Sequence, residues 1–244
     1  MSNTLKEKLK TDEPVLFLAA NIDMNHSQLE VALGNGSYDA VYFDAQHSVF
    51  SEEKLAEFCA ATESLEIPTQ MRIPHTRFSY LAGRYCDFGL SSIVIPEVME
   101  ESTVTEAIEY FYYGPFGRRS WGGRARAGMR FFDGAPDRQE YAKWWNDNAV
   151  LCIQFESVEA VTNARKLADR PGVDFVGFGP NDLLFSLERK LEYPFKTIEE
   201  CYLNVASQLD EVGIRRGPII TTKPEERDRY LELGITVFYE SPKF

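Results

Sequence analysis

The side chains of this chain best suited to chemistry stand where apolar runs stop. Glu156 closes VLCIQFE, with Gln154 two positions before it and so on the same face of an extended segment. Asp182 follows VGFGPN, Arg72 closes PTQM, and Asp44, Gln46 and His47 follow VYF in FDAQHS. Two carboxylates with no cysteine or histidine pair beside them form a half-site of hard oxygen donors. Such a half-site suits Mg2+ or Mn2+, with water or substrate in the remaining positions. The structural alternative has Asp182 capping a turn before Leu183 and Glu156 paired with an arginine. His47 is one of three histidines and stands three residues after Asp44. That carboxylate could orient the ring and raise its basicity, unless His47 is simply a satisfied structural histidine. His26 and His75 lack such a partner and read as surface or helix-start residues. An arginine at 72 is costly to bury alone, so it is expected to meet a bound carboxylate or an acidic neighbour such as Glu156. Lys223 is the one lysine at the end of an apolar run. Pro224 behind it reads as a helix start, which counts against a Schiff-base mechanism.

Something must bring these residues together, and the chain shows a repeating alternation. Runs rich in β-branched and aromatic residues fall at 14–21, 39–44, 68–73, 91–98, 150–156, 174–178, 218–222 and 235–240, eight expected strands. Several have continuous apolar centres, as strands covered on both faces do. Helical patterns lie between them at 28–33, 52–64, 79–87, 102–112, 158–168, 198–212 and 224–233. Ser51, Ser157 and Lys223-Pro224 mark helix starts, and Gly34, Gly89, Gly213 and Gly234 mark ends. Strand then helix, repeated about eight times, predicts a (β/α)8 TIM barrel filling a single domain, 1–244. A doubly wound open sheet is the alternative, but its GxGxxG turn is absent after the first strand. Segment 114–148, containing GPFGRRSWGGRARAG, is too long for an ordinary connection and reads as a functional loop or subunit contact. The chain stops at SPKF directly after the eighth strand, so the usual C-terminal helix is expected to be missing.

Composition narrows the function. The chain has 244 residues, 26 basic and 38 acidic side chains, a net charge of −12 and 44% hydrophobic residues. A pI near 4.8 argues against a nucleic-acid or anionic-membrane surface. No run approaches a membrane span, and the start lacks a signal-peptide core. Four scattered cysteines without CxxC spacing fit a reducing cytoplasm. The sequons at Asn25 and Asn35 carry little weight without an export signal.

In order along the chain, YDAVYFDAQHS, PTQMRIP, CDFGLSSIVIPEV, YYGPFGRRSWGGRARAG, VLCIQFESVEAV and GVDFVGFGPNDL resemble the HpcH/HpaI family of metal-dependent class II pyruvate aldolases. The resemblance runs from about Asp39 to Glu240. It implies that Glu156 and Asp182 bind the metal, Mg2+ or Mn2+ with Co2+ as a further candidate. His47 would be the base, working with Asp44, and Arg72 would contact the keto oxygen and enolate beside Gln154. Backbone amides around Asn181 and Asp182 would hold the pyruvyl carboxylate. Asp87 matches an aspartate at a subunit boundary, and Arg124 lies where relatives reach toward a neighbouring site. A homo-oligomer, a hexamer in the family, is implied. Two departures stand out: Gln46 replaces a frequent glutamate, and Glu97 after Pro96 replaces an apolar residue.

The resulting expectation is a metal-dependent aldolase or lyase that makes or cleaves 4-hydroxy-2-oxo acids through a pyruvate enolate, with a 2-oxo acid and an aldehyde as its partners. Two alternatives keep the scaffold. One is an oxaloacetate decarboxylase or biosynthetic carbon–carbon bond-forming enzyme. The other is a non-catalytic descendant that binds a metabolite or a partner protein.

Overall fold

The computed structural model describes residues 4–122, 126–189 and 192–244. Eight short strands are β1 Val15–Ala19, β2 Ala40–Asp44, β3 Thr69–Arg72, β4 Ser92–Ile95, β5 Val150–Phe155, β6 Phe175–Phe178, β7 Arg215–Pro218 and β8 Val237–Glu240. They form one sheet in the order β7-β6-β5-β4-β3-β2-β1-β8, and every ladder is parallel. The β7–β8 seam is closed without a regular ladder. Thr236 N–H donates to the Arg216 carbonyl at 2.9 Å and Thr222 N–H to that of Tyr239 at 2.7 Å. Gly217 is required at this seam, because a Cβ there would lie 2.0 Å from the Val237 carbonyl oxygen. The result is a nearly closed (β/α)8 barrel, as the alternation predicts.

The strand period of two sorts the core into two layers. Val15, Phe17, Tyr42, Val94, Cys152, Phe175, Val237 and Tyr239 fill the interior. Phe17 stacks on Tyr239 with centroids 4.9 Å apart. Gln70, deeply buried, donates to Ser92 and accepts from the Tyr239 hydroxyl at 2.9 Å, so this polar layer is satisfied. The alternate residues, including Val41, Phe43, Met71, Ile93, Ile153 and Phe178, pack against the helices.

The helices are α1 Leu5–Lys8, α2 His26–Gly34, α3 Glu52–Ser64, α4 Ala82–Cys86, α5 Glu101–Phe111, α6 Arg138–Asn148, α7 Val158–Thr162, α8 Ala164–Ala168, α9 Pro180–Arg189, α10 Ile198–Leu209 and α11 Arg227–Glu232. Ser51 and Ser157 cap α3 and α7 as the sequence predicts, accepting from Lys54 and Ala160. Helix α1 closes the N-terminal end of the barrel. It adds Leu5 and, one residue past its end, Leu9 to the inner core and sends Lys6 Nζ to Asp174 at 3.0 Å and to the Ala149 carbonyl at 2.9 Å.

Several boundaries move. The seventh strand is Arg215–Pro218 rather than 218–222. RRGP looks like a turn in sequence, but Arg216 is tied to Asp210; past Pro218 only isolated bonds continue, Ile219 N–H to the Phe178 carbonyl and Thr222 N–H to that of Tyr239. The segment 114–148 is not all loop. Asp137 caps α6, and Trp145 buries its indole while donating to the Phe111 carbonyl at 2.8 Å. The expected helix 158–168 is broken at Asn163 into α7 and α8. The expected helix 79–87 is a 3₁₀ turn, Thr76–Leu81, leading into α4. Helix α9 is not among the elements the sequence predicts. After β8 there is no helix: Asn35 Nδ2 holds the Lys243 carbonyl at 2.9 Å, and buried Glu240 pairs with Arg227 and Lys243.

Candidate active site

The C-terminal ends of β2, β3 and β5 bring charged side chains to one end of the barrel. Asp44 and Arg72 are register partners across β2 and β3. Arg72 Nε donates to Asp44 Oδ1 at 2.8 Å and Nη2 to Oδ2 at 2.5 Å, a bidentate pair with little solvent exposure. Burial alone would lift the Asp44 carboxyl, but the Arg72 guanidinium and the Gln46 N–H hold it below the usual range. Burial likewise works against the charge on Arg72, yet its hydrogen bonds to Asp44 and the nearby carboxylates bind the proton more tightly than usual. Arg72 Nη1 continues to Gln154 Oε1 at 3.4 Å and to Glu156 Oε1 at 3.9 Å. Arginine 72 thus meets Asp44 foremost and Glu156 second.

Glu156 is 7% exposed and lies just past β5. Its Oε2 accepts the Glu97 N–H at 2.7 Å. Glu97 sits in the left-handed region, φ 52, a conformation that costs a non-glycine residue about 1–2 kcal/mol. That turn is what aims the amide at Glu156. Burial pushes the Glu156 carboxyl up to about 7; the Glu97 amide and Arg72 oppose the rise, while the charges of Asp182 and Glu97 add to it.

Glu156, Asp182 and Glu97 line one cavity of about 510 Å³. Its wall continues along Met99, Phe185, Arg189 and Tyr193. Asn181 and Asp182 stand in the first turn of α9, behind Pro180. The Glu97 carboxylate accepts from Gln46 Nε2 at 3.0 Å and lies 3.8 Å from His75 Nε2. His75 Nδ1 accepts the Arg77 N–H at 3.0 Å, so it does start a helical turn, as the sequence suggests. A second cavity, about 220 Å³, lies among the N-terminal ends of the strands, away from these residues.

The residues present fit a divalent cation. Glu156 is forced toward its neutral form by burial and by neighbouring carboxylates, and a cation would relieve both. The carboxylate lies against Gly179, where a Cβ would come within 2.1 Å of Glu156 Oε1. Gln154 Nε2 is buried without a hydrogen-bond partner among the described residues, leaving one donor for a bound oxygen. The set is hard oxygen. Among the described residues no three His, Cys, Asp or Glu side chains close on one point. The chain would therefore offer two carboxylates and leave the other positions to substrate and water.

The remaining sequence candidates fall less centrally. His47 is exposed, and among the described residues nothing is hydrogen-bonded to it. The Asp44 carboxylate turns to Arg72 and accepts the Gln46 N–H at 2.9 Å. Asp87 lies on the loop entering β4, at the other end of the strands, and accepts from Arg119 at 2.7 Å. Arg124 lies outside the described residues. Lys223 is exposed. All four cysteines are buried and free, and among the described residues no helix is long and apolar enough to cross a membrane. Phe185 and Arg189 end no apolar run; their one signal in the sequence is the helical spacing of Asp182, Phe185, Ser186 and Arg189 along α9.

The chain is 24% identical over 246 residues to the hydroxypyruvate/pyruvate aldolase of Paraburkholderia phytofirmans, covering 98% of this chain and 93% of that one. It is 25% identical over 234 residues to the 4-hydroxy-2-oxo-heptane-1,7-dioate aldolase of Shigella sonnei, covering 96% and 86%. The crystal structure of an HpcH/HpaI aldolase from Desulfitobacterium hafniense DCB-2 has the same fold, with a TM-score of 0.81 at 23% identity over 98% of this chain and 91% of that one. The profile of the HpcH/HpaI aldolase/citrate lyase family matches residues 15–237. The chain therefore belongs to the HpcH/HpaI aldolase/citrate lyase family.

Proposed function

We propose that this chain is a divalent-metal-dependent aldolase that forms and cleaves 4-hydroxy-2-oxo acids through the enolate of pyruvate. One observation carries the reading: a buried carboxylate, Glu156, shares a cavity with Asp182 while a fully engaged arginine, Arg72, stands 3.9 Å away. Glu156 and Asp182 would hold the ion, Mg2+ or Mn2+. When bound, it supplies Lewis acidity toward the keto oxygen of the 2-oxo acid.

The chain's own groups do the rest. Amides of Asn181 and Asp182, at the positive end of α9, bind the substrate carboxylate. Arg72, held by two bonds to Asp44, supplies a fixed positive charge for the developing enolate oxygen and needs no reorganisation to do so. The free Gln154 Nε2 adds a neutral donor beside it. His47, exposed three residues past Asp44, takes the proton that leaves the pyruvate methyl group, through water, and the C–H electron pair becomes the enolate. The enolate carbon then bonds to the aldehyde carbon, and the aldehyde oxygen takes a proton to become the 4-hydroxyl. Cleavage runs the same steps in reverse. The same reading takes the protein as a homo-oligomer with Asp87 near a subunit boundary.

Pyruvate release from 4-hydroxy-2-oxo acids, followed with a coupled dehydrogenase, tests the proposal. EDTA should abolish release and added Mg2+ or Mn2+ restore it. Turnover that ignores EDTA would overturn it.

A further inference from the structure

Asp182, Phe185, Ser186 and Arg189 run along one face of α9, and all four line the cavity. Arg189 stands seven positions after Asp182, so the two backbone positions lie about 10 Å apart along the helix axis. The near end is acidic, with Glu156, Asp182 and Glu97. Arg189 is the one cation among the described residues of the lining. It makes no ion pair among the described residues. Instead its guanidinium lies over the Phe185 ring, 4.7 Å from the centroid. Stacking of this kind orients the plane of the guanidinium and leaves its N–H edge free for an anion. Phe185 is 53% exposed and Met99 56%; they give the stretch between the two ends an apolar wall. Glu159, also on the lining, accepts from the Tyr193 hydroxyl at 2.6 Å.

The geometry points to Arg189, braced by Phe185, as the residue of this chain that selects acceptor aldehydes ending in an anionic group. The inference rests on the aldolase reading above. The reacting carbonyl sits at the Glu156–Asp182 end, a few methylenes cross Phe185 and Met99, and a terminal carboxylate or phosphate meets the guanidinium. Selection thus comes from the same chain and the same helix that carry Asp182.

The test compares kcat/KM for succinic semialdehyde, glyceraldehyde 3-phosphate and the uncharged butanal, with pyruvate and Mg2+. Wild type, Arg189→Gln, Arg189→Lys and Phe185→Ala are measured side by side, together with deuterium exchange into the pyruvate methyl group without any aldehyde. Wild type should favour an anionic acceptor over butanal. Arg189→Gln should lower kcat/KM for the anionic acceptor about tenfold, leave butanal within about twofold and leave methyl exchange unchanged. Arg189→Lys should recover part of the loss, and Phe185→Ala should weaken the preference. A loss confined to the carboxylate or to the phosphate substrate names the anion. The inference is overturned if Arg189→Gln keeps the wild-type preference or lowers all acceptors alike. If wild type exchanges no methyl deuterium, the aldolase reading itself fails, and this inference falls with it.

Discussion

Replacing Glu156 by Gln separates the demands of folding from those of chemistry at one residue. The carboxyl is buried and its pKa is raised from the usual 4.5 to about 7. A raised carboxyl binds its proton more tightly in the folded chain. The associated stability is complete below pH 4.5 and is lost as pH climbs through 7. At 1.36 kcal/mol per pH unit the loss amounts to about 3 kcal/mol by pH 8.5 in metal-free protein. Glutamine keeps an oxygen for the Glu97 N–H but never ionises. In EDTA, the wild type should therefore lose about 3 kcal/mol more than the variant between pH 4.5 and 8.5. That corresponds to roughly 6–12 °C in melting temperature for a chain of this size. Groups remote from the site titrate alike in both proteins, so the difference reports on Glu156 and the charges coupled to it. Melting curves across that range are the assay. At pH 8.5, Mg2+ should restore the wild type and leave the variant unchanged. Parallel pH profiles for the two proteins would refute the reasoning.

Arg72→Met should lower kcat about 10²–10³-fold by removing a fixed charge at the developing oxyanion, and steady-state kinetics would show it; a change confined to KM would contradict that role. His47→Gln should lower kcat about 10²–10⁴-fold while leaving the melting temperature within a degree or two, because the side chain is exposed. Lys6→Met strands the buried Asp174 carboxylate, whose pKa burial raises and Lys6 pulls back. It should cost about 3 kcal/mol in urea denaturation without changing kcat per folded molecule, since α1 lies at the end of the barrel away from the cavity.

The barrel was legible because its signal is local. Buried parallel strands read as short apolar runs, and Ser51 and Ser157 announce their helices. What was misplaced depends on contacts distant in sequence. Arg215–Pro218 looks nothing like a strand until Gly217 meets Val237 across the seam. Helix α6 declares itself through Trp145 reaching the Phe111 carbonyl. At the site, sequence spacing brought Asp44, Arg72, Gln154, Glu156 and Asp182 to the same end of the barrel, as period-two strands dictate. It could not show that Asp44 clamps Arg72 rather than His47, since that pairing follows from the β2–β3 register. Nor could it show Glu97 in a left-handed turn offering its amide to Glu156, because φ at a non-glycine residue leaves no trace in composition.

The most direct test of the account is deuterium exchange into the methyl group of pyruvate, followed by NMR in D2O with no aldehyde present. It reads proton removal alone, before any choice of acceptor. With Mg2+ or Mn2+ the wild type should exchange the methyl protons well above the buffer rate, and either EDTA or Glu156→Ala should return exchange to that rate. Exchange that persists undiminished in EDTA, or in the Glu156→Ala protein, would contradict an enolate site built on Glu156 and Asp182.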